Sequence, residues 1–86
     1  MKNTYYRKLI DEKFSIYFTA QEARCMNCFL QGYTYKQAAK SIGIAIGTVS
    51  FYANNMRRKL SCNTNREMIV KVRHIDFSQS LVIKNS

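Results

Sequence analysis

Apolar residues fall in short periodic groups along this chain. Cys25, Met26, Cys28, Phe29 and Leu30 recur at the three- and four-residue spacing of one helix face. Ala38, Ala39 and Ile42 form a second such group. Val49, Ala53, Met56 and Leu60 form a third, and Met68, Ile69 and Val72 a fourth. The pattern predicts four helices: about Ala20 to Gln31, Tyr35 to Ser41, Ile46 to Leu60, and Asn65 to Arg73.

Local start and stop signals agree with that division. Thr19-Ala20-Gln21-Glu22, Thr34-Tyr35-Lys36-Gln37 and Thr64-Asn65-Arg66-Glu67 each fit a capping box. In such a box the threonine hydroxyl accepts from an amide in the first turn, and the acid or amide side chain reaches back. Gly32 stands where the first helix needs a left-handed residue, and Gly43 provides a tight turn after the second. A short helix, a turn of a few residues and a longer helix is helix-turn-helix geometry.

The ends are less regular. Tyr5, Tyr6, Leu9 and Ile10 fit part of a short helix before Phe14, and Ile16 to Phe18 reads as an extended lead-in packing on the core. The tail from Ile75 to Ser86 lacks firm periodicity, leaving open a strand, a cover for a dimer seam or disorder. The chain therefore divides into an N-terminal extension (1–17), a helical domain (18–73) and a C-terminal tail (74–86).

With 86 residues the chain makes one small domain with a modest core, too little for a large enclosed active site. An apolar content of 47% argues for a folded domain, and the absence of proline favours helices. The net charge of +9 is unevenly placed. No acid lies between Glu22 and Glu67, while Arg24, Lys36, Lys40, Arg57, Arg58, Lys59 and Arg66 do. A polyanion partner fits that segment better than a merely solvated surface. The longest apolar run is too short for a bilayer of about 30 Å, so the expectation is a cytoplasmic protein with no membrane contact.

Few residues suit catalysis or metal binding. Cys25 and Cys28 form a C-x-x-C, but only Cys62 and His74 remain as further ligands, at no recognised zinc spacing. Both cysteines read as small buried hydrophobes, with a redox switch as the rival reading. Glu22 has no acid, histidine or nucleophile placed to work with it, so capping is its expected role. The expectation is a protein with no enzymatic activity, no cofactor and no metal.

The third helix has two faces. Opposite its apolar stripe lie largely Ser50, Phe51, Asn54, Arg57 and Arg58. Small polar groups and an aromatic near the start, with a basic end, suit base edges and phosphates respectively.

From Phe18 to Ile69, more than half of the 86 residues, the chain resembles the LuxR-type helix-turn-helix domain, also called the GerE or FixJ type. Phe18-Thr19-Ala20-Gln21-Glu22 matches that family's leucine-threonine-x-x-glutamate opening, with Phe for Leu. Cys25-Met26 matches the apolar pair that follows, and Gly32 the glycine after the first helix. Thr34-Tyr35-Lys36-Gln37-Ala38-Ala39 corresponds to serine-asparagine-lysine-glutamate-isoleucine-alanine. Thr48-Val49 matches the threonine-valine signature, and Asn55-Met56-Arg57-Arg58-Lys59-Leu60 the asparagine-isoleucine-x-x-lysine-leucine beyond it.

The resemblance implies an all-α, four-helix fold and a transcription regulator. Its third helix would enter the major groove of double-stranded DNA, and its fourth would make a homodimer. Ser50, Phe51 and Asn54 then stand where bases are contacted, with Asn54 suited to a bidentate bond with adenine and Phe51 to a thymine methyl. Tyr35, Lys36, Thr48, Tyr52, Arg58 and Lys59 are the phosphate candidates. Met68, Ile69 and Val72 are the dimer candidates. For Phe51 a partly buried place, for Asn54 simple solvation and for Met68, Ile69 and Val72 closure of the chain's own core remain open. The expected site is an inverted repeat with half-sites about 10 bp apart or less.

Most members carry a further regulatory domain, for which this chain has no room, so it reads as a short, stand-alone form. It also departs from the pattern. Ala45 stands where serine usually caps the third helix, a loss of about 1 kcal/mol. Ser50 replaces a common basic residue, Tyr52 a usual histidine, and the arginine near the start of helix four comes one position later, as Arg66. These departures motivate an alternative: an interaction protein that pairs through helix four with a full-length LuxR-type regulator and blocks it. RNA polymerase is a further candidate partner.

Overall fold

The computed structural model describes residues 7–11 and 16–75. A two-stranded antiparallel hairpin precedes four helices: β1 (Arg7–Asp11), β2 (Ile16–Thr19), α1 (Ala20–Leu30), α2 (Tyr35–Ile42), α3 (Ile46–Leu60) and α4 (Asn65–Val72). The four helices lie within a residue or so of the sequence expectation, and the fold is the expected four-helix, all-α arrangement with a small added hairpin.

The hairpin corrects the expected short N-terminal helix. Leu9 pairs with Tyr17 and Lys8 with Phe18, with a bulge between Leu9 and Asp11. The spacing of Leu9 and Ile10 suits a helix, but β2 supplies backbone partners that a local pattern does not reveal. Tyr5, Tyr6 and Phe14 lie outside the described residues, as does the tail beyond Ile75. The expected lead-in, Ile16 to Phe18, is extended as predicted and forms most of β2, carrying the fully buried Phe18.

The helix starts follow from the threonines. At α1 the Thr19 hydroxyl accepts from the Glu22 amide at 3.2 Å, and Glu22 Oε1 accepts from the Thr19 amide at 2.9 Å. At α2, Thr34 and Gln37 repeat the exchange at 3.1 and 2.8 Å. At α4 only half of it forms. Thr64 accepts from the Glu67 amide at 3.1 Å, but Glu67 Oε1 accepts from the Asn63 amide at 2.7 Å, one residue further back. α1 ends in a Schellman arrangement: the Gly32 amide donates to Phe29 and the Tyr33 amide to Cys28, with Gly32 at a φ of 87°.

α3 is less well provided at both ends. Ala45 has the extended backbone of an N-cap but no side chain to accept a hydrogen bond. At the other end the Ser61 amide donates to Arg58 and the Cys62 amide to Arg57, which places Ser61 at a φ of 57°. This is the left-handed conformation that a side chain disfavours. Lys71 of α4 compensates in part, donating to the Leu60 carbonyl at 3.0 Å.

Packing holds α3 in place. α1 contacts every other element, and α2 meets α3 through the small residues Ala38 and Ala39. Phe18, Met26, Val49, Met56, Met68 and Val72 are fully or almost fully buried in one core. Each large apolar side chain so buried contributes on the order of 1.5–3 kcal/mol. Cys25 and Cys28 are buried there too, as small apolar residues. Burial first, then the nearby Cys28 and Glu22, push the Cys25 thiol up to about 12. Burial also raises the Cys28 thiol, against a hydrogen bond from Ser41. Such thiols are poor nucleophiles at neutral pH, which weighs against the redox-switch reading.

Two outcomes follow. Ala45→Ser and Ser61→Gly should each raise stability by about 1 kcal/mol in urea titrations, and additively, since they act at opposite ends of α3. Because the folded state holds the Cys25 proton more tightly, stability should fall as pH rises from the ordinary 9.0 through about 12. Cys25→Val should remove that part of the alkaline loss, measured by thermal unfolding across the range.

Candidate nucleic-acid interface

Helical geometry sorts α3 into faces. Val49, Ala53, Met56 and Leu60 are buried against the other helices. Gly47, Phe51, Asn54 and Arg58 are exposed on the opposite side, and Ser50, Asn55 and Arg57 are half-buried along its edges. Phe51 is 59% exposed, its ring tilted against Tyr52 at 5.8 Å between centroids. The reading of Phe51 as partly core therefore fails. A large aromatic lies in water here, flanked by polar and basic residues. Ile46, in the first turn of α3, is 48% exposed as well.

Polar side chains on this face are tied to one another. Asn54 Oδ1 accepts from Arg57 Nη2, so Asn54 is not merely solvated. Asn55 Oδ1 accepts from Arg58 Nη1 at 3.0 Å. Arg57 Nη1 also donates to the Tyr35 hydroxyl at 3.4 Å and to Asn65 Oδ1. The Tyr35 ring in turn packs against Phe29 at 5.5 Å, which holds the start of α2 against α1. Lys36 is exposed next to Tyr35, and Thr48 is half-buried in the first turn of α3. Tyr52 is half-buried and packs against the core. From sequence Arg57 reads only as part of the basic end of α3, and Asn65 is not assigned to the site. The three-residue spacing from Asn54 to Arg57 is the one local clue.

Lys59 is placed differently from the phosphate contact expected of it. Its ammonium donates to Glu22 Oε1 at 2.6 Å and to the Tyr17 carbonyl at 2.9 Å, and lies 5.9 Å from the centre of the Phe18 ring. Glu22 is only 3% exposed, the one buried charged residue among those described. Lys59 is therefore a strut from α3 to the start of α1, and its partner Glu22 keeps its capping role. This pairing offsets the Glu22 charge. α2 and α3 themselves contain no acid, so Lys36, Lys40, Arg57 and Arg58 leave a positive surface.

The dimer candidates separate as well. Met68 and Val72 are fully or almost fully buried in the chain's own core, so they offer no surface to a second chain. Their periodicity marks a buried face but not whose core it enters. Ile69 is half-buried, and its neighbour Val70 is 51% exposed. Among the described residues, no group of His, Cys, Asp or Glu is arranged to hold a metal ion, and no helix is long and apolar enough to cross a membrane.

The geometry is that of a helix-turn-helix domain with a basic, partly aromatic helix face. The family profile described as bacterial regulatory proteins, luxR family (GerE), matches residues 17–72. No curated protein matches the chain, and no solved structure does.

Removing the strut should be costly. Lys59→Met leaves the Glu22 carboxylate buried without its partner and should lower stability by about 2 kcal/mol, given the partial exposure of the lysine. Adding Glu22→Gln, whose amide can still accept the Thr19 bond, should restore part of that loss. Urea titration of the single and double variants measures the coupling, and strict additivity would refute the strut.

Proposed function

The chain belongs to the luxR family of bacterial regulatory proteins, and from that premise we propose how its helix-turn-helix domain meets DNA. The domain is a DNA-binding regulatory one rather than a catalytic one. In this reading α3 lies in the major groove of duplex DNA. Ser50, Phe51 and Asn54 face base edges, while Tyr35, Lys36, Thr48 and Arg58 meet phosphates on either side, with Tyr52 at the flank. The observation that carries the reading is the exposed face of α3: Phe51 in solvent, hydrogen-bonded polar neighbours, and no acid on either helix of the motif. An exposed phenylalanine on a basic surface fits contact with thymine methyl groups.

A homodimer on an inverted repeat completes the reading. Val70 on the outer side of α4, with the half-buried Ile69 beside it, suits the contact better than Met68 and Val72, which are buried. The same outer side supports a second reading, in which the chain pairs with a full-length LuxR-type regulator and blocks it. The uncapped start of α3 at Ala45 favours that alternative, because a less stable reading helix weakens DNA binding.

Gel-shift titration on a duplex carrying an inverted repeat tests the proposal. Affinity should fall roughly a thousandfold between about 50 and 200 mM salt, as expected for several phosphate contacts per protomer. Lys36→Ala should reduce the slope, whereas Phe51→Ala should weaken specific binding and leave the slope unchanged. Binding that ignores salt would overturn the proposal. Tight binding by the pure chain alone would dispose of the blocking reading.

A further inference from the structure

Two residues on the free face of α3 have no part in holding the fold. Phe51 is 59% exposed and lies outside the core cluster. Gly47, one turn before it, is exposed on the same line of the helix. Gly47 is helical and lacks the positive φ of Gly32 and Gly43. A Cβ at position 47 would meet nothing within 4 Å. Alanine would fit there and would stabilise the helix, because glycine loses more backbone freedom on folding. Neither conformation nor packing therefore calls for glycine at this place. Its effect is external: the backbone is bare beside an exposed ring, and another molecule can approach closely.

The surroundings say which molecule. α2 and α3 carry no acid, and Lys36 and Arg58 are exposed with Phe51, so the face is complementary to the phosphates of duplex DNA. The Phe51 ring has no hydrogen-bond donor or acceptor. Base edges in the major groove present donors, acceptors and one alkyl group, the C5-methyl of thymine. A ring with no polar atom makes no hydrogen bond to the oxygen or amino group at the neighbouring C4. Cytosine methylated at C5 presents the same methyl group in the same place.

We propose that Phe51, with the bare backbone of Gly47 beside it, reads a C5-methyl group rather than the base that carries it, so that 5-methylcytosine is accepted as thymine is. Methylation of a cytosine at that position then strengthens binding. The proposal rests on α3 being the base-reading helix.

Selection of bound fragments from random duplex DNA, with the wild type and Phe51→Ala, first locates the thymine that Phe51 reads. Gel shifts then compare duplexes with thymine, uracil, cytosine or 5-methylcytosine at that position. Thymine against uracil, and 5-methylcytosine against cytosine, isolate the methyl group. Each methyl should strengthen wild-type binding about fourfold per half-site, the worth of one buried group of that size. Neither should matter to Phe51→Ala, which changes an exposed side chain and keeps the fold. Gly47→Ala should raise Tm by roughly 2–8 °C and yet weaken binding to both methylated duplexes. A merely structural Gly47 would move Tm alone. A methyl that helps on thymine but not on cytosine overturns the inference, as does a Gly47→Ala protein that keeps the full methyl preference. A selected motif with no Phe51-dependent thymine overturns this inference alone. No selected motif at all overturns the reading of α3 as well.

Discussion

The ion pair between the buried Glu22 and the partly exposed Lys59 is the contact on which the placement of α3 depends. Burying a lone carboxylate is costly, and here the cost is offset by two donors, the Lys59 ammonium and the Thr19 amide, and by the position at a helix start. The same lysine also holds the Tyr17 carbonyl of β2. One contact thus joins the hairpin, the start of α1 and the end of α3. Together with the packing of α3 on the core, it holds α3 in one rotation about its axis. Once that rotation is set, Phe51, Asn54 and Arg58 must face outward, because Val49, Ala53, Met56 and Leu60 face in.

A division of labour follows along α3. Its stability comes from outside: the Lys59 strut, the Lys71 contact to Leu60, the Arg57 network and close packing on Ala38 and Ala39. The residues on its free side carry no share of the core. They are therefore open to change without disturbing the fold, which suits a surface whose chemistry sets recognition. The departures at Ala45, Ser50 and Tyr52 all fall at or near this surface.

How much was legible in the sequence depends on distance along the chain. Helix starts were readable at Thr19, Thr34 and Thr64, because a cap acts over three residues. The missing cap at Ala45 was readable for the same reason. The role of Lys59 was not, since its partner Glu22 lies 37 residues away. Tyr35 and Asn65, 30 residues apart, meet only after α2 and α4 are placed. The hairpin was missed because Leu9 and Ile10 carry a helix-like spacing while their pairing is non-local. Periodicity found Met68 and Val72 as buried but could not say that their own chain buries them. For the candidate site, helical spacing placed Phe51, Asn54 and Arg58 on the outer face, while the contacts of Arg57 with Tyr35 and Asn65 are non-local and were out of its reach.

The two imperfect ends of α3 bear on portability. The segment Ile46–Leu60 holds every proposed base reader, yet it has an alanine for a cap, a serine in the left-handed position beyond it, and Gly47, Thr48, Val49, Asn54 and Asn55 within it. Isolated helices of about this length are marginal in water even with favourable composition. Excised as a peptide, this segment is a coil. The exposed face of α3 cannot be transplanted as a linear motif; it travels only with the α1 and hairpin groups that hold it in shape.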